Sequence, residues 1–208
     1  CPAMDEIADL NLSVGSEFIV EAGGSGDPID ASRPYVVVLQ HPVTTEYGNA
    51  GEQVKETLKA IRKLNAQTVW LWPNVDAGSD NISKELRMFR AQPRDFALRF
   101  FRNLSIRDYA KLIFNSKCLI GNSSSGIREA AFLGVPSVNI GNRQLGRERG
   151  ANVRDVENAA DEIYAAVKDQ MAVGRYMPDY RFGRGDAGEK IASTLATINP
   201  EIQKRMSY

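Results

Sequence analysis

The sequence GNSSSGIREAA, residues 121–131, has the residue order of a strand that turns tightly into a helix. The apolar run just before it, residues 118–120, is typical of a short buried strand that ends at Gly121. Apolar side chains at helical spacing follow the stretch, and Gly134 and Pro136 then predict the end of a helix. This order of features predicts a strand, a tight turn rich in serine and glycine, and a helix whose N-terminus the serines cap.

Such a turn has the chemistry of an anion site. The first amides of a helix have no intrahelical acceptor, and the helix dipole places partial positive charge at the same end. Serine hydroxyls add further donors, so the turn after residue 120 could hold a phosphate group. A serine-rich helix cap without a ligand explains the same residues, and this stretch alone does not separate the two interpretations.

Strand and helix patterns alternate along the rest of the chain. Apolar runs rich in β-branched or aromatic residues predict further buried strands at residues 35–40, 68–72, 96–100 and 137–140, with a sixth near 151–153. Helical spacing of apolar residues predicts helices at 51–65, 79–91, around 109–113, at 159–172 and at 186–198. Because the connections are too long for hairpins, we predict an α/β fold, a doubly wound parallel sheet of the Rossmann-like kind.

The first 33 residues form a separate segment in this prediction. A short helical pattern around Met4, Ile7 and Leu10 opens the chain, and the glycine-rich residues 22–28 are typical of a flexible connection. We therefore predict an opening helix with a connection over residues 1–33 and one Rossmann-like domain over residues 34–208.

Composition argues against several classes of protein. The 208 residues carry 26 basic and 26 acidic side chains, so a net charge of zero gives no general affinity for nucleic acid or for an anionic membrane. No apolar run is long enough to span a membrane, and the opening residues do not resemble a signal peptide. One histidine and two separated cysteines argue against a metal site and fit the cytoplasm. The chain does not begin with methionine, which suggests a processed or partial polypeptide.

Polar side chains cluster where the predicted strands end. In an open parallel sheet, ligands bind beyond the carboxyl ends of the strands, so these positions are the candidates for a site. They are Gln40, His41, Thr44, Asn74, Asp76, Asn103, Ser105, Ser123, Ser124, Glu129, Asn142, Arg143 and Gln144. Their chemistry fits an anionic, hydroxyl-rich ligand, with serine amides and Arg143 on phosphate and Glu129 accepting hydrogen bonds from ribose hydroxyls.

His41 is the only imidazole in the sequence. Proton transfer near neutral pH, or polarisation of a leaving group, would fall to it, and a loop histidine with a satisfied hydrogen bond fits equally well. Arg147 and Arg149 are expected in solvent or paired with carboxylates, while Asp76 and Asp80 fit a turn and a helix cap better than a metal site. Neither a P-loop nor a dinucleotide-binding fingerprint is present.

Four stretches, in order, resemble the UDP-N-acetylglucosamine 2-epimerase family, specifically its hydrolysing branch, which makes N-acetylmannosamine for sialic-acid-type sugars. They are QHPVTT at 40–45, PNVDAG at 73–78, GNSSSGIRE at 121–129, and GNRQ at 141–144 with GRE at 146–148. GDA at 185–187 is similar as well. These motifs cover most of the chain in the order of the family, which makes the resemblance specific.

The resemblance implies one half of a two-domain fold of the glycosyltransferase-B type. This chain is similar to the carboxyl-terminal domain, which would bind UDP and face an amino-terminal domain that the chain lacks. By resemblance, Ser123 and Ser124 bind the diphosphate, Glu129 binds the ribose, and Asn74 and Arg143 bind other parts of UDP. Asn103 and Leu104 align where the family reads the uracil edge, and His41 holds the position of a catalytic histidine.

The family reaction eliminates UDP to give a 2-acetamidoglucal and then adds water to give the 2-epimer. Since the acid and base carboxylates of the family lie in the missing domain, this chain alone is expected to bind UDP weakly and to turn over nothing. The resemblance further implies a cytoplasmic enzyme without a cofactor, and a homo-oligomer when full-length. Three alternatives stay open: a 2-epimerase for UDP-diacetylbacillosamine in legionaminic acid synthesis, a UDP-sugar glycosyltransferase, and a non-catalytic nucleotide-binding module.

Overall fold

A seven-stranded, mostly parallel sheet forms the centre of the molecule. The computed structural model describes residues 1–199. The strands are β1 Ser25–Gly26, β2 Tyr35–Leu39, β3 Gln67–Leu71, β4 Leu98–Phe101, β5 Leu119–Gly121, β6 Ser137–Ile140 and β7 Val153–Val156. Their spatial order is β1-β4-β3-β2-β5-β6-β7, and all neighbouring pairs are parallel except β1 with β4. Counted from β2, this is the strand order 3-2-1-4-5-6 of doubly wound nucleotide-binding folds.

Helices cover both faces of the sheet. They are α1 Phe18–Glu21, α2 Ala50–Leu64, α3 Ser79–Arg90, α4 Ile106–Asn115, α5 Glu129–Phe132, α6 Ala160–Val173 and α7 Ala187–Thr197. The apolar sides of α2, α3 and α6 pack on one face, and α4, α5 and the residues before β2 pack on the other. This arrangement confirms the predicted doubly wound α/β architecture. Because the central strands are buried on both faces, they need the continuous apolar runs seen in the sequence.

Most predicted elements lie within two residues of the observed ones. β4 begins two residues later than the predicted strand at 96–100, and β7 begins two residues after the predicted strand near 151–153. Such shifts arise because a strand ends where its hydrogen-bonded pairing ends, whereas the apolar run continues into the loop: Phe96 lies outside β4 yet is buried in the core.

The residues before β2 form an ordered part of the fold. Met4, Ile7, Ile19 and Ile29 are each at most 1% exposed and pack in the second core. Burial of each such side chain contributes about 2 kcal/mol of hydrophobic free energy, so the four side chains together anchor the segment to the core. The predicted division after residue 33 stays a prediction.

The predicted flexible connection at residues 22–28 is wrong for its central part. Ser25–Gly26 is the antiparallel edge strand β1, paired with β4. The buried guanidinium of Arg99 donates hydrogen bonds to the carbonyl oxygens of Gly23 at 2.6 Å, Asp27 at 3.3 Å and Gly26 at 3.4 Å. An arginine on a neighbouring strand therefore satisfies the glycine-rich backbone, a long-range contact that the local composition does not reveal.

Replacement of Arg99 by methionine is expected to release this segment. The carbonyl oxygens that the guanidinium satisfies would lose their donor, while the aliphatic stem would still fill the space. We expect the amide of Asp27, which donates to Leu98 O at 3.0 Å, to exchange with solvent at least about tenfold faster, since loss of one or two such bonds costs roughly 1–3 kcal/mol. Hydrogen exchange followed by NMR measures this. Arg102→Met, an exposed neighbour on the same stretch, is the control and should leave the Asp27 rate unchanged.

The serine-rich turn differs from the single capped helix that the sequence predicts. Ser124–Gly126 forms one turn of 3-10 helix, and α5 is a separate turn of four residues. The carbonyl of Gly126 accepts a hydrogen bond from Asn152 Nδ2 at 3.2 Å and so is not used for a continuous α-helix. The Ser123 side chain caps the 3-10 turn by accepting from the amide of Ser125 at 3.3 Å. The capping role of serine is therefore confirmed, but for a shorter element.

The last described helix begins beside the first residues of the chain. The carboxylate of Asp5 accepts hydrogen bonds from the amides of Ala187 at 3.1 Å and Gly188 at 2.6 Å, so it caps the N-terminus of α7. The GDA stretch at 185–187 thus joins two ends of the described chain. Over residues 1–199, none of the helices has both the length and the apolar character needed to cross a membrane.

Candidate functional site

A crevice is expected where the order of the strands reverses, beyond the carboxyl ends of β2 and β5. The loops after these strands diverge from there, with residues 40–46 following β2 and residues 122–128 following β5. Gly121 permits the close approach of the two strands, because a Cβ at this position would lie 2.0 Å from the carbonyl oxygen of Leu39. The rim predicted from the sequence is therefore formed by the loops at this reversal point.

Asn122 joins the three loops that border the crevice. Its side-chain Oδ1 accepts from the amide of His41 at 2.7 Å, and its Nδ2 donates to the carbonyl of His41 at 2.8 Å. Its own carbonyl accepts from Arg143 Nη1 at 3.2 Å and from Gln144 Nε2 at 2.7 Å. The loops after β2, β5 and β6 are thereby held together by one residue, which brings two of the predicted site residues, His41 and Arg143, to the same place.

His41 is buried, and the pKa of its imidazole is low. Burial, together with the positive charge of Arg143, lowers this pKa from 6.5 to about 4, and the carboxylate of Asp76 only partly opposes the shift. The ring Nδ1 accepts a hydrogen bond from the amide of Asn74 at 3.3 Å, so the proton of the neutral ring lies on Nε2. At neutral pH the side chain is therefore a hydrogen-bond donor, which favours polarisation of a leaving group over proton transfer.

The serine turn presents donors that the fold itself leaves unused. The amides of Ser123 and Ser124 have no acceptor among residues 1–199, and the hydroxyl of Ser124 has no partner there either. Ser125 instead points inward, with its hydroxyl 2.6 Å from the hydroxyl of the partly buried Tyr109. Two free amides and one free hydroxyl at the end of a parallel strand are the donors that a phosphate group requires.

Arg143 supplies positive charge beside this turn. Its guanidinium is half-buried and uses one nitrogen to bond Asn122, and burial lowers the pKa of the group from its usual value without removing the charge. It lines a cavity of about 480 Å³ together with Pro42, Val43, Thr44, Thr45, Asp76, Asn142 and Leu145. Glu46 bridges two of the loops at this point, because its carboxylate accepts from both Gln53 and Asn142.

Unsatisfied acceptors lie in the same region of the fold. Gln40 and Gln144 each have a buried Oε1 without a hydrogen-bond partner in the described part of the chain, and so has Glu129 through Oε2. The other carboxylate oxygen of Glu129 lies 3.6 Å from the Arg128 guanidinium. Since buried polar atoms normally have a partner, these oxygens are suited to donors from a ligand or from bound water. Their chemistry fits the predicted contact of Glu129 with sugar hydroxyls.

A second cavity, of about 580 Å³, lies at the carboxyl ends of β3 and β4. Trp72, Pro73, Asn74, Val75, Ser83, Arg87, Arg102 and Asn103 line it. Asn74 thus lines this cavity, and its backbone amide donates to His41, while Asp76, in the same loop, lines the first cavity. The two predicted residues Asn74 and Asn103 line the same cavity. Leu104 instead packs against the core that α4 and α5 cover.

Two features of the site were not predicted from the sequence. Asn122 was not among the candidate residues, although its position directly after a strand that ends in glycine is a signal for a rim residue. Gln144 was a candidate, but its bond to the Asn122 carbonyl was not foreseen. The expectation for Arg149 is confirmed, because its guanidinium pairs with Asp155, and Arg147 is exposed.

The comparison with known proteins agrees with the motifs. A sequence model of the UDP-N-acetylglucosamine 2-epimerase family matches residues 8–196. The chain belongs to the UDP-N-acetylglucosamine 2-epimerase family. The match covers all four motifs as well as β1, β2 and their connections, so the epimerase-family assignment rests on nearly the whole of the described chain.

Curated epimerases are similar to this chain over part of their length. The UDP-N-acetylglucosamine 2-epimerase of Neisseria meningitidis is 29% identical over 82% of this chain and 46% of its own length. The UDP-N,N'-diacetylbacillosamine 2-epimerase (hydrolyzing) of Legionella pneumophila is 29% identical over 95% of this chain and 50% of its own length. The chain therefore spans about half the length of the curated epimerases that it matches.

Solved structures show the same fold. The UDP-GlcNAc 2-epimerase of Methanocaldococcus jannaschii, crystallised in complex with UDP-GlcNAc and UDP, has a TM-score of 0.64 over 94% of this chain and 53% of that chain, at 13% identity. A structure from Listeria monocytogenes gives a TM-score of 0.58 over 93% of this chain and 51% of that chain, at 12% identity. The predicted glycosyltransferase-B-type half is thus confirmed as a fold.

Proposed function

We propose that this chain is the UDP-binding half of a hydrolysing UDP-N-acetylglucosamine 2-epimerase. The observation that carries the proposal is a set of donors on the loops that Asn122 joins, which the residues from 1 to 199 leave available: the Ser123 and Ser124 amides, the Ser124 hydroxyl, the remaining N–H groups of Arg143 and the Nε2–H of His41. All of them suit the oxygens of a diphosphate, and the free acceptor of Glu129 suits a ribose hydroxyl. The family assignment supports the same ligand.

In the proposed reaction the enzyme first breaks the bond between C1 of the sugar and the diphosphate oxygen. Loss of the C2 proton to a base gives the 2-acetamidoglucal, and addition of water then gives N-acetylmannosamine, with UDP as the other product. Negative charge grows on the departing diphosphate in the first step. Donors fixed in a partly buried crevice stabilise such charge because they need no reorganisation when it forms, and this is the share of catalysis that we assign to the present chain.

His41 acts in this proposal as a neutral hydrogen-bond donor. An imidazole with a pKa of about 4 carries no charge at pH 7. Its Nε2–H would therefore polarise the leaving oxygen by a hydrogen bond, without transferring its proton. The acid and base that move the C2 proton would come from the half that the chain does not include. We accordingly propose weak UDP binding and no turnover for the isolated chain.

A second substrate is supported by the relatives. Two curated proteins named as hydrolysing 2-epimerases of N,N'-diacetylbacillosamine nucleotides, from Legionella pneumophila and Campylobacter jejuni, are 29% and 33% identical to this chain over the aligned parts. The donors described above address the nucleotide and not the sugar, so they serve either substrate. A product assay with both UDP-sugars on the two-domain protein separates the two epimerases and also tests a glycosyltransferase activity.

Calorimetric titration with UDP tests the proposal. We expect the chain to bind UDP, with UMP weaker for lack of the second phosphate, and ADP weaker because of its base. Arg143→Ala should weaken UDP binding by about 10- to 100-fold, the effect of one charge-assisted contact with phosphate, and Ser124→Ala by about 5- to 10-fold. Arg147→Ala, an exposed arginine in the same loop, is the matched control and should bind UDP like the wild type.

Two results would contradict the proposal. One is equal UDP affinity in Arg143→Ala, Ser124→Ala and the control, which would remove the assigned site. The other is release of UDP from UDP-N-acetylglucosamine by the isolated chain, which would show that the catalytic carboxylates are not needed from another half.

A further inference from the structure

We propose that Asn122 is the positioning residue of this site. It fixes the positions of His41 and Arg143 relative to each other at the point where β2 and β5 diverge. The inference rests on the proposed function for its ligand, UDP, but the positioning itself rests on the hydrogen bonds of Asn122. The residue is 2% exposed and lies beneath the rim, so it supports the groups that would contact the ligand.

The side chain of Asn122 replaces a missing strand partner. The parallel pairing of β2 with β5 ends at Leu39 and Gly121, and the amide of Asn122 still donates to the carbonyl of Leu39 at 3.3 Å. Beyond that point the chain after β5 turns away, at a Gly121 φ of +133°. The amide and carbonyl of His41 would then lack a backbone partner in the crevice.

Asparagine meets this requirement through its chemistry. Its carboxamide carries one acceptor and two donors on a short stem, and it bonds both main-chain groups of His41 at 2.7 and 2.8 Å. An aspartate of the same size would keep the acceptor and lose the donor, while a serine would be too short to reach both groups. The main chain of His41 is thereby fixed on both sides, which sets the direction in which its ring leaves the backbone.

The carbonyl of Asn122 extends the same control to the loop after β6. It accepts from Arg143 at 3.2 Å and from Gln144 at 2.7 Å, so both of its lone pairs are used. The imidazole of His41 and the guanidinium of Arg143 therefore take their positions from one buried residue. A change at Asn122 should move both of them, although Asn122 need not contact the ligand itself.

The test uses the fact that His41 is the only histidine of the sequence. The two imidazole nitrogens then give a single pair of ¹⁵N resonances, whose shifts report which nitrogen carries the proton. In the wild type we expect the Nε2–H form, set by the bond from the Asn74 amide to Nδ1. In Asn122→Ala we expect a mixture of the two tautomers, because the loop no longer holds Nδ1 against that amide, and a UDP affinity at least about tenfold lower.

Asn115→Ala is the matched control. The Asn115 amide also donates two hydrogen bonds, to the carbonyls of Leu12 and Lys111 at 2.8 Å each, but it does so in α4 on the opposite face. This variant should be destabilised to a similar degree yet keep the wild-type imidazole shifts and UDP affinity. If Asn122→Ala does not fold, Asn122→Asp, which keeps size and one acceptor, is expected to show the same two changes.

Wild-type imidazole shifts and UDP affinity within twofold of wild type in both Asn122 variants would overturn the inference. If the wild type does not bind UDP, the proposed function fails, and the imidazole shifts still decide whether Asn122 positions His41. The two failures are therefore distinguishable.

Discussion

Between pH 7 and pH 5 the folded protein is expected to lose about 2 kcal/mol of stability at His41 alone. The imidazole takes up a proton near pH 6.5 in the unfolded chain, whereas burial and the nearby Arg143 hold its folded pKa at about 4. Because this group is depressed in the folded state, its contribution is fully present above pH 6.5 and is lost as the pH falls from 6.5 to 4. Each pH unit below the unfolded pKa costs about 1.4 kcal/mol, so the fall from pH 6.5 to pH 5 gives the expected loss of about 2 kcal/mol.

Urea unfolding at the two pH values measures this loss. His41→Gln is the comparison, since it removes the titrating group, and the difference between wild type and variant should change by about 2 kcal/mol from pH 7 to pH 5. Carboxylates titrate mainly below this window, and those with a lowered pKa, such as Asp27, still lower. An equal loss in both proteins, or a His41 titration midpoint near 6.5 by NMR, would contradict the description of the site as buried and cationic.

Gly121→Ala is expected to destabilise the fold by about 3–5 kcal/mol. The new Cβ would lie 2.0 Å from the carbonyl oxygen and 2.6 Å from the carbonyl carbon of Leu39, at the last paired position of β2 and β5. The backbone φ of +133° adds strain for any residue other than glycine. Overpacking and a strained backbone each cost roughly 1–3 kcal/mol, and neither can relax without separation of the two central strands.

Gly15→Ala is the control for this substitution. Its added Cβ meets no atom within 4 Å, and its φ is not in the positive range, so its stability should stay within about 1 kcal/mol of the wild type. Thermal and urea denaturation of both variants test the prediction. If Gly121→Ala were as stable as Gly15→Ala, the close approach of β2 and β5 at the crevice would be wrong.

The fold was predictable because its elements are repeated local patterns. The β-branched run at Tyr35–Leu39 and the helical spacing of Ala50–Leu64 each reflect burial of a whole face, and such burial leaves a strong periodic signal. The edge strand Ser25–Gly26 left no such signal, because its partner residues and the stabilising Arg99 lie more than 70 positions away. The local composition there indicated a flexible loop, but contacts with distant residues hold this segment as an edge strand.

The candidate residues of the site were predictable in part for the same reason. His41, Ser123 and Arg143 follow the carboxyl ends of strands, and a parallel sheet brings such positions to one rim. The neutral state of His41 and the bonds of Asn122 could not be predicted, because they depend on burial and on hydrogen bonds between residues 81 positions apart. The single helix predicted after the serines was wrong because Asn152, from a later loop, bonds the Gly126 carbonyl.

An NMR titration of the His41 imidazole with UDP tests the central claim most directly, since a single histidine gives an unambiguous signal in the crevice. We expect the Nε2 resonance to shift with UDP and to saturate. Uridine without phosphates should leave it unchanged, and Arg143→Ala should move the midpoint to higher UDP. An imidazole signal that stays constant up to millimolar UDP, both in this chain and in the chain joined to an amino-terminal half, would contradict the assignment of the diphosphate to this crevice.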